Sequence, residues 1–283
     1  MKNVIILLRE NISYLNPAEK AAAEYILDQP EKASRQSVQA IAAEAFVSSA
    51  AVIRMCKAIG FNGFKDFRNA LTSDIASQNV TMTLDDEDIH KDDTLDEIIQ
   101  KITKKNIQSL YDTLHMMEPK TIDRCVQLMN QSDHILLFGL GASLIAAQDF
   151  YLKLLRINKP CIINEDWHLQ LITARNSSKK DLGIIISYSG ETNEMIRCAE
   201  ELKKNGTPIL AITRCVSSPI SKLADIRLYT TANESLFRSA AMSSRISQLN
   251  IIDILYTAYA NSEYDYSMKQ LQKTHINKEN TDD

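Results

Sequence analysis

The sequence predicts two domains of different class: an all-α domain, then an α/β domain built on a doubly wound parallel sheet. Three observations carry this. Up to about residue 75 the apolar residues recur at helical spacing. From His134 onward, short apolar runs such as "HILLFG" and "LGIIIS" alternate with helix-like stretches, the order that produces parallel strands joined by crossover helices. Between the two, Thr81 to Glu97 holds eight acids and one lysine, a shift in charge that marks a connector. The expected division is a helical domain over 1–77, an acidic linker and the start of a connecting helix over 78–104, the α/β domain over 105–262, and a polar, frayed tail over 263–283.

The helices of the first part follow from their ends. In "NPAEKAAAEYIL", Asn16 is the N-cap, Pro17 occupies the first helical position and Glu19 stands three residues after the cap. Ala18, Ala22, Tyr25 and Ile26 share a face, and Pro30 is expected to end the helix. "SVQAIAAEAF" repeats the pattern with Val38, Ile41, Ala42 and Ala45, and "SSAAVIRMCKAIG" with Val52, Met55, Cys56 and Ile59 before Gly60. Two short amphipathic helices thus meet across a tight "FVS" turn, the layout of a helix-turn-helix.

In that layout the second helix enters the major groove of DNA with its N-terminal residues toward the bases. With Ser48 or Ser49 as cap, Ala50, Arg54 and Lys57 lie opposite the apolar stripe, and small residues at the helix entry permit close approach. Ser48 to Ala70 carries Arg54, Lys57, Lys65 and Arg68 against Asp66 alone, a local charge of +3 suited to phosphate contact.

In the second part the strand-like runs are "HILLFG", "PCIIN", "LGIIIS", "PILAIT" and "IRLYT", with a long final helix from about Arg238. Two of the strand ends stand out. "GLGAS" (Gly139 to Ser143) and "SYSGET" (Ser187 to Thr192) combine glycine, hydroxyls and backbone N–H groups at a helix N-terminus. Such loops suit a dianionic phosphate, because glycine admits close backbone approach and the helix dipole favours negative charge. Other motifs fit less well: Leu144 breaks a G-x-G-x-x-G fingerprint, no G-K-[ST] follows a glycine-rich stretch, and "SYSGE" lacks the first glycine of a nucleophile elbow.

Composition excludes several classes. The chain has 283 residues, 45% hydrophobic and 24% charged, which is the balance of a soluble globular protein. A net charge of −4 rules out a chain that is basic throughout, though not a local basic surface. Five cysteines, with no C-x-x-C and no histidine at metal-ligand spacing, imply reduced and mostly buried thiols, with no metal and no cofactor. The start "MKNVIILLREN" has five apolar residues before Arg9, and no later run approaches a bilayer span, so a cytoplasmic protein without membrane contact is expected.

The segment "SVQAIAAEAFVSSAAVIRMCKAIGFNGFKDFRNAL" resembles the N-terminal helix-turn-helix of the RpiR/MurR family of bacterial transcriptional regulators. By this resemblance Ser48, Ser49, Ala50, Ala51, Arg54, Lys57 and Lys65 face DNA, with Ala51 standing where many members carry threonine. "FGLGAS" and "ISYSGETNE" look like the two signature loops of the SIS (sugar isomerase) domain, a phosphosugar-binding module, and the family joins these two modules in this order. The resemblance implies that Ser143, Ser187, Ser189 and Thr192 hold the phosphate, with Gly190 shaping the turn.

His168 in "EDWHLQL" and Glu234 in "TANESLFRS" are the candidate sugar-facing groups, Arg238 ranks below both, and Tyr188 is expected to pack away from the ligand. The function implied is that of a regulator, a repressor of sugar or amino-sugar catabolism genes, whose operator affinity responds to a phosphosugar. Segments such as "NESLFRSAAMSSRISQLNIIDIL" look closest to MurR-type members, which points to N-acetylmuramic acid 6-phosphate. The expected partners are palindromic operator DNA and further copies of the chain, as a homodimer or homotetramer. The alternatives are a phosphosugar isomerase and a structural SIS oligomerisation module.

Overall fold

The computed structural model describes residues 3–77, 89–231 and 242–276. The chain divides into two compact units, residues 1–105 with 114–116, and residues 106–113 with 117–283.

The first unit begins with α1 (Val4–Asn11), a 3-10 turn (Ile12–Tyr14), α2 (Pro17–Asp28), α3 (Pro30–Arg35), α4 (Val38–Glu44), α5 (Ser49–Ala58) and α6 (Phe64–Ser77). Asn16 and Glu19 form the expected capping box of α2, with the Asn16 N–H donating to Glu19 Oε2 at 3.4 Å. Pro30 does more than end α2: it also opens α3 as its first residue, where a missing N–H costs nothing. α1, built from "VIILLREN", has all of Val4 to Leu8 buried, so the apolar start of the chain is core. Serine caps set both helices of the motif: Ser37 Oγ accepts from Ala40 N, and Ser48 Oγ from Ala51 N, each at 3.2 Å. The axis turns by 103° from α4 to α5, within the range of helix-turn-helix pairs.

α7 (Leu95–Met116) follows, then in the second unit α8 (Pro119–Gln131), β1 (Ile135–Phe138), α9 (Ala142–Arg156), β2 (Cys161–Ile163), α10 (Trp167–Arg175), β3 (Leu182–Ile186), α11 (Asn193–Lys204), β4 (Ile209–Arg214), α12 (Pro219–Leu223), β5 (Ile226–Thr230), α13 (Met242–Ser262) and α14 (Tyr264–Lys273). The strands form one parallel sheet in the order β2-β1-β3-β4-β5.

Burial on both faces explains the continuous apolar runs. Ile135, Leu137, Ile184 and Ile186 pack with Phe150 and Leu154 of α9, Met129 of α8 and Leu255 of α13. The alternate residues Leu136, Phe138, Ile185 and Ala211 pack with Ala174 of α10, Leu202 of α11 and Ile220 of α12. A wholly buried side chain such as Phe150 stabilises this arrangement by about 2 to 3 kcal/mol. Burial also raises the thiols of Cys56, Cys125 and Cys198 to about 12, and that of Cys161 to about 11.

One expectation is corrected. The segment from 263 is not simply a frayed tail: α14 spans Tyr264–Lys273, buries Ser267 and Gln270, and packs Leu271 against the core. Its three charged residues and two tyrosines hid a helix whose inner face is small and polar. Among the described residues, no single helix is long and apolar enough to cross a membrane.

Candidate functional site

The sheet order reverses between β1 and β3, whose carboxyl ends lie side by side with Phe138 opposite Ile185. Crevices beyond such reversals are where open α/β sheets take ligands. The loop after β1 runs through Gly139 to Gly141, the N-cap of α9, and the loop after β3 runs from Ser187 to Thr192, the N-cap of α11. Two helix N-termini therefore open toward one place, each adding partial positive charge.

Each loop is held in shape by named contacts. Gln170, buried in α10, accepts from Gly139 N at 3.2 Å and donates to Gly139 O at 3.0 Å and Asn164 O at 2.9 Å. In the second loop, Gly190 N donates to Ser187 O at 3.1 Å and Glu191 N to Ser189 Oγ at 3.1 Å, while Arg214 N donates to Tyr188 O at 2.9 Å. Gly190 has φ +67°, and a Cβ there would lie 2.1 Å from Ser218 Oγ, so both conformation and space require glycine.

A cavity of about 620 Å³ fills the crevice. Ser143, Ser187, Ser189 and Thr192, expected from the sequence, all line it, together with Tyr188, Ser244, Arg245 and Gln248. Ser187 Oγ and Thr192 Oγ1 are 3.4 Å apart, and Gln248 Nε2 donates to Ser143 Oγ at 3.1 Å. Gln248 is 1% exposed, and its Oε1 has no hydrogen-bond partner among the described residues. Arg245 supplies a cation to the wall, where no lining residue among the described ones is acidic. Hydroxyls, amides and one guanidinium suit an anionic, hydroxyl-rich molecule.

The structure departs from the expected site in three places, at His168, Tyr188 and Ala51. His168 does not line the cavity; its side chain is 70% exposed and its ring lies 4.3 Å from that of Trp167. Asp166 caps α10, which turns Gln170 and Ala174 inward and leaves His168 outside. Tyr188, expected to pack away, faces the cavity and has the Arg214 guanidinium 5.9 Å from its ring. Glu234 and Arg238 lie outside the described residues. Ala51, taken as DNA-facing, is fully buried with Val52, Met55 and Cys56 on the inner stripe of α5.

The other residues of the helix-turn-helix reading sit as their spacing requires. Ser48, Ala50, Arg54, Lys57 and Lys65 are exposed and Ser49 is half-buried. Sequence reasoning missed Gln170, Ser244, Arg245 and Gln248. The visible signal was the polar run "SSRISQ" in an otherwise apolar helix, with Ser244 and Gln248 one turn apart.

Residues 2–78 match the helix-turn-helix domain of the rpiR family, and residues 128–258 match the SIS domain. The chain is 38% identical to the uncharacterized HTH-type transcriptional regulator YbbH of Bacillus subtilis, covering 92% of this chain and 91% of that one. It is 33% identical to the HTH-type transcriptional regulator HexR of Pseudomonas aeruginosa, over 91% and 89% of the two chains. Among solved structures, the Vibrio vulnificus NanR protein complexed with ManNAc-6P superposes with a TM-score of 0.59 at 28% identity, covering 96% of each chain.

Proposed function

This chain belongs to the RpiR family of HTH-type transcriptional regulators with a SIS domain, and from that premise we propose that a phosphosugar seated between its two hydroxyl loops controls operator affinity. One observation carries the reading: Ser143 on one loop and Ser187, Ser189 and Thr192 on the other line a single cavity at the helix N-termini. Its volume of about 620 Å³ falls in the range of small-molecule sites. The loops hold the phosphate with neutral donors, and Gly190 keeps the second loop turned toward it. Gln248 accepts a sugar hydroxyl, and Arg245 pairs with the phosphate or with a second acidic substituent.

N-acetylmuramic acid 6-phosphate is the effector we favour, since its lactyl carboxylate gives Arg245 a partner. NanR, whose structure holds ManNAc-6P, supports a phosphorylated N-acetyl sugar as the class. The relatives are transcriptional regulators, which favours sensing over turnover. The chain acts in the cytoplasm as a repressor, with residues 1–77 reading DNA, 78–104 linking and 105–262 sensing.

A palindromic operator requires a symmetric oligomer. The exposed apolar side chains Ile145, Leu152 and Leu155 of α9, Ile162 of the edge strand β2, and Leu169 and Ile172 of α10 support self-association at that edge of the sheet. Effector binding then alters subunit geometry and DNA affinity, a coupling commonly of about 1 to 3 kcal/mol, or about 5- to 150-fold.

The test is fluorescence anisotropy of the purified protein on DNA from upstream of its own operon, with N-acetylmuramic acid 6-phosphate and a panel of hexose phosphates. Release by one sugar phosphate, lost in Ser187→Ala with Ser189→Ala while DNA binding persists, is the expected result. Specific DNA binding that no phosphosugar shifts would overturn the effector reading, and turnover of the same panel would favour the isomerase.

A further inference from the structure

Glu19 is a buried acid beneath a surface that the reading above assigns to DNA. Its side chain is 7% exposed, and its carboxylate serves two tasks, with the Asn16 side-chain amide also donating to Oε1 at 3.5 Å. Oε2 accepts the Asn16 N–H at 3.4 Å and closes the cap of α2. Oε1 accepts from Arg54 Nε at 3.2 Å, thirty-five residues along the chain on the outer face of α5. The Arg54 side chain remains 58% exposed.

Helix capping alone explains the first contact but not the second. A carboxylate under a phosphate-binding surface cancels one of the few local cations and repels the DNA backbone, so it lowers non-specific affinity. What it gives is direction. Guanidinium is planar with five donors in a fixed fork, and holding its Nε edge fixes the plane while the four Nη hydrogens stay available. That end of the fork matches O6 and N7 of guanine in the major groove, the commonest specific arginine contact. An arginine already held in place also loses less side-chain freedom on binding.

We propose that Glu19 is a positioning residue that holds Arg54 for reading a guanine edge, exchanging phosphate attraction for base discrimination. The proposal rests on α5 being the recognition helix. Lys57, without such a partner among the described ion pairs, is left to contact phosphate.

The experiment uses the full-length chain. Binding sites are selected from a random duplex pool, and affinities for the selected site and its single-base variants are then measured between about 50 and 200 mM salt. The wild type is expected to enrich a guanine in each half-site and to prefer it by about tenfold or more. Arg54→Lys keeps the charge and should lose that preference with the salt slope unchanged. Glu19→Gln keeps a capping acceptor, since glutamine also serves at that position, but removes the charge.

In Glu19→Gln the preference should fall at that one base pair, binding to random DNA should tighten, and the salt slope should steepen by about one. Equal losses at all positions, or losses that track a lowered melting temperature, would reduce Glu19 to a structural residue and overturn the proposal. So would Arg54→Lys with its guanine preference intact. Failure of the wild type to enrich any sequence would instead remove the recognition-helix reading itself, and the proposal with it.

Discussion

Gln170 pairs with Gly139 as one peptide group pairs with another, accepting from its N–H at 3.2 Å and donating to its carbonyl at 3.0 Å. The side chain is 1% exposed, so water cannot replace it. Gln170→Leu would leave both Gly139 groups and the Asn164 carbonyl unpaired. A loss of about 2 to 4 kcal/mol is expected from chemical denaturation, with weaker effector binding because the first loop loses its anchor. A stable Gln170→Leu protein with wild-type effector affinity would show that the loop is held by other means.

Two glycines at positive φ separate conformation from crowding. At Gly141, φ is +56° with ψ −127°, outside the left-handed helical region, and nothing lies within 4 Å of an added Cβ, so Gly141→Ala should cost about 1 to 3 kcal/mol from conformation alone. At Gly190, φ is +67° and the added Cβ meets Ser218 Oγ at 2.1 Å and Ser218 Cβ at 2.7 Å. Gly190→Ala should therefore cost about 2 to 4 kcal/mol, since overpacking adds to strain. Thermal melts of the two variants should rank in that order.

The open acceptor of Gln248 gives a test of sugar recognition apart from phosphate. Gln248→Met fills similar volume but removes both the donor to Ser143 and the acceptor Oε1. Isothermal titration should show effector affinity reduced about tenfold, with little loss of inorganic phosphate binding. Equal loss of both would place Gln248 at the phosphate.

Asp74 of α6 offers a pH signature. Burial raises its pKa, and the Val4 N–H it accepts from pulls the value part of the way back. The folded chain thus holds this proton more tightly than the unfolded one. The stabilising contribution is fully present below the unfolded value of about 3.9 and is lost as pH rises through the higher folded value. Asp74→Asn should match the wild type at acid pH and exceed it toward neutrality, as read from urea midpoints across that range. A stability difference that does not grow with pH would contradict this account.

Much of the architecture was legible because its signals are local. Continuous apolar runs such as "LGIII" announce strands buried on both faces, and Asn16-Pro17 with Glu19 announces a helix start. The serines of the two loops could be found because they follow those strands directly. Gln170, Arg245 and Gln248 could not, since they belong to helices whose rotation over the crevice is set by packing. The same cause misplaced Ala51 and His168: one residue of helical phase, 100°, decides between core and solvent. Ala51 sits one step inside the boundary of its apolar stripe, and His168 lies two residues from the buried Gln170.

Burial of the thiols bears on which signals can reach the protein. With Cys56, Cys125 and Cys198 raised to about 12, on the order of one thiol in 10⁵ carries charge at neutral pH, and peroxides and electrophiles attack the charged form. Burial and the raised pKa make these three thiols poor nucleophiles. A transcriptional regulator built this way takes no thiolate-based redox signal through those three sulfurs.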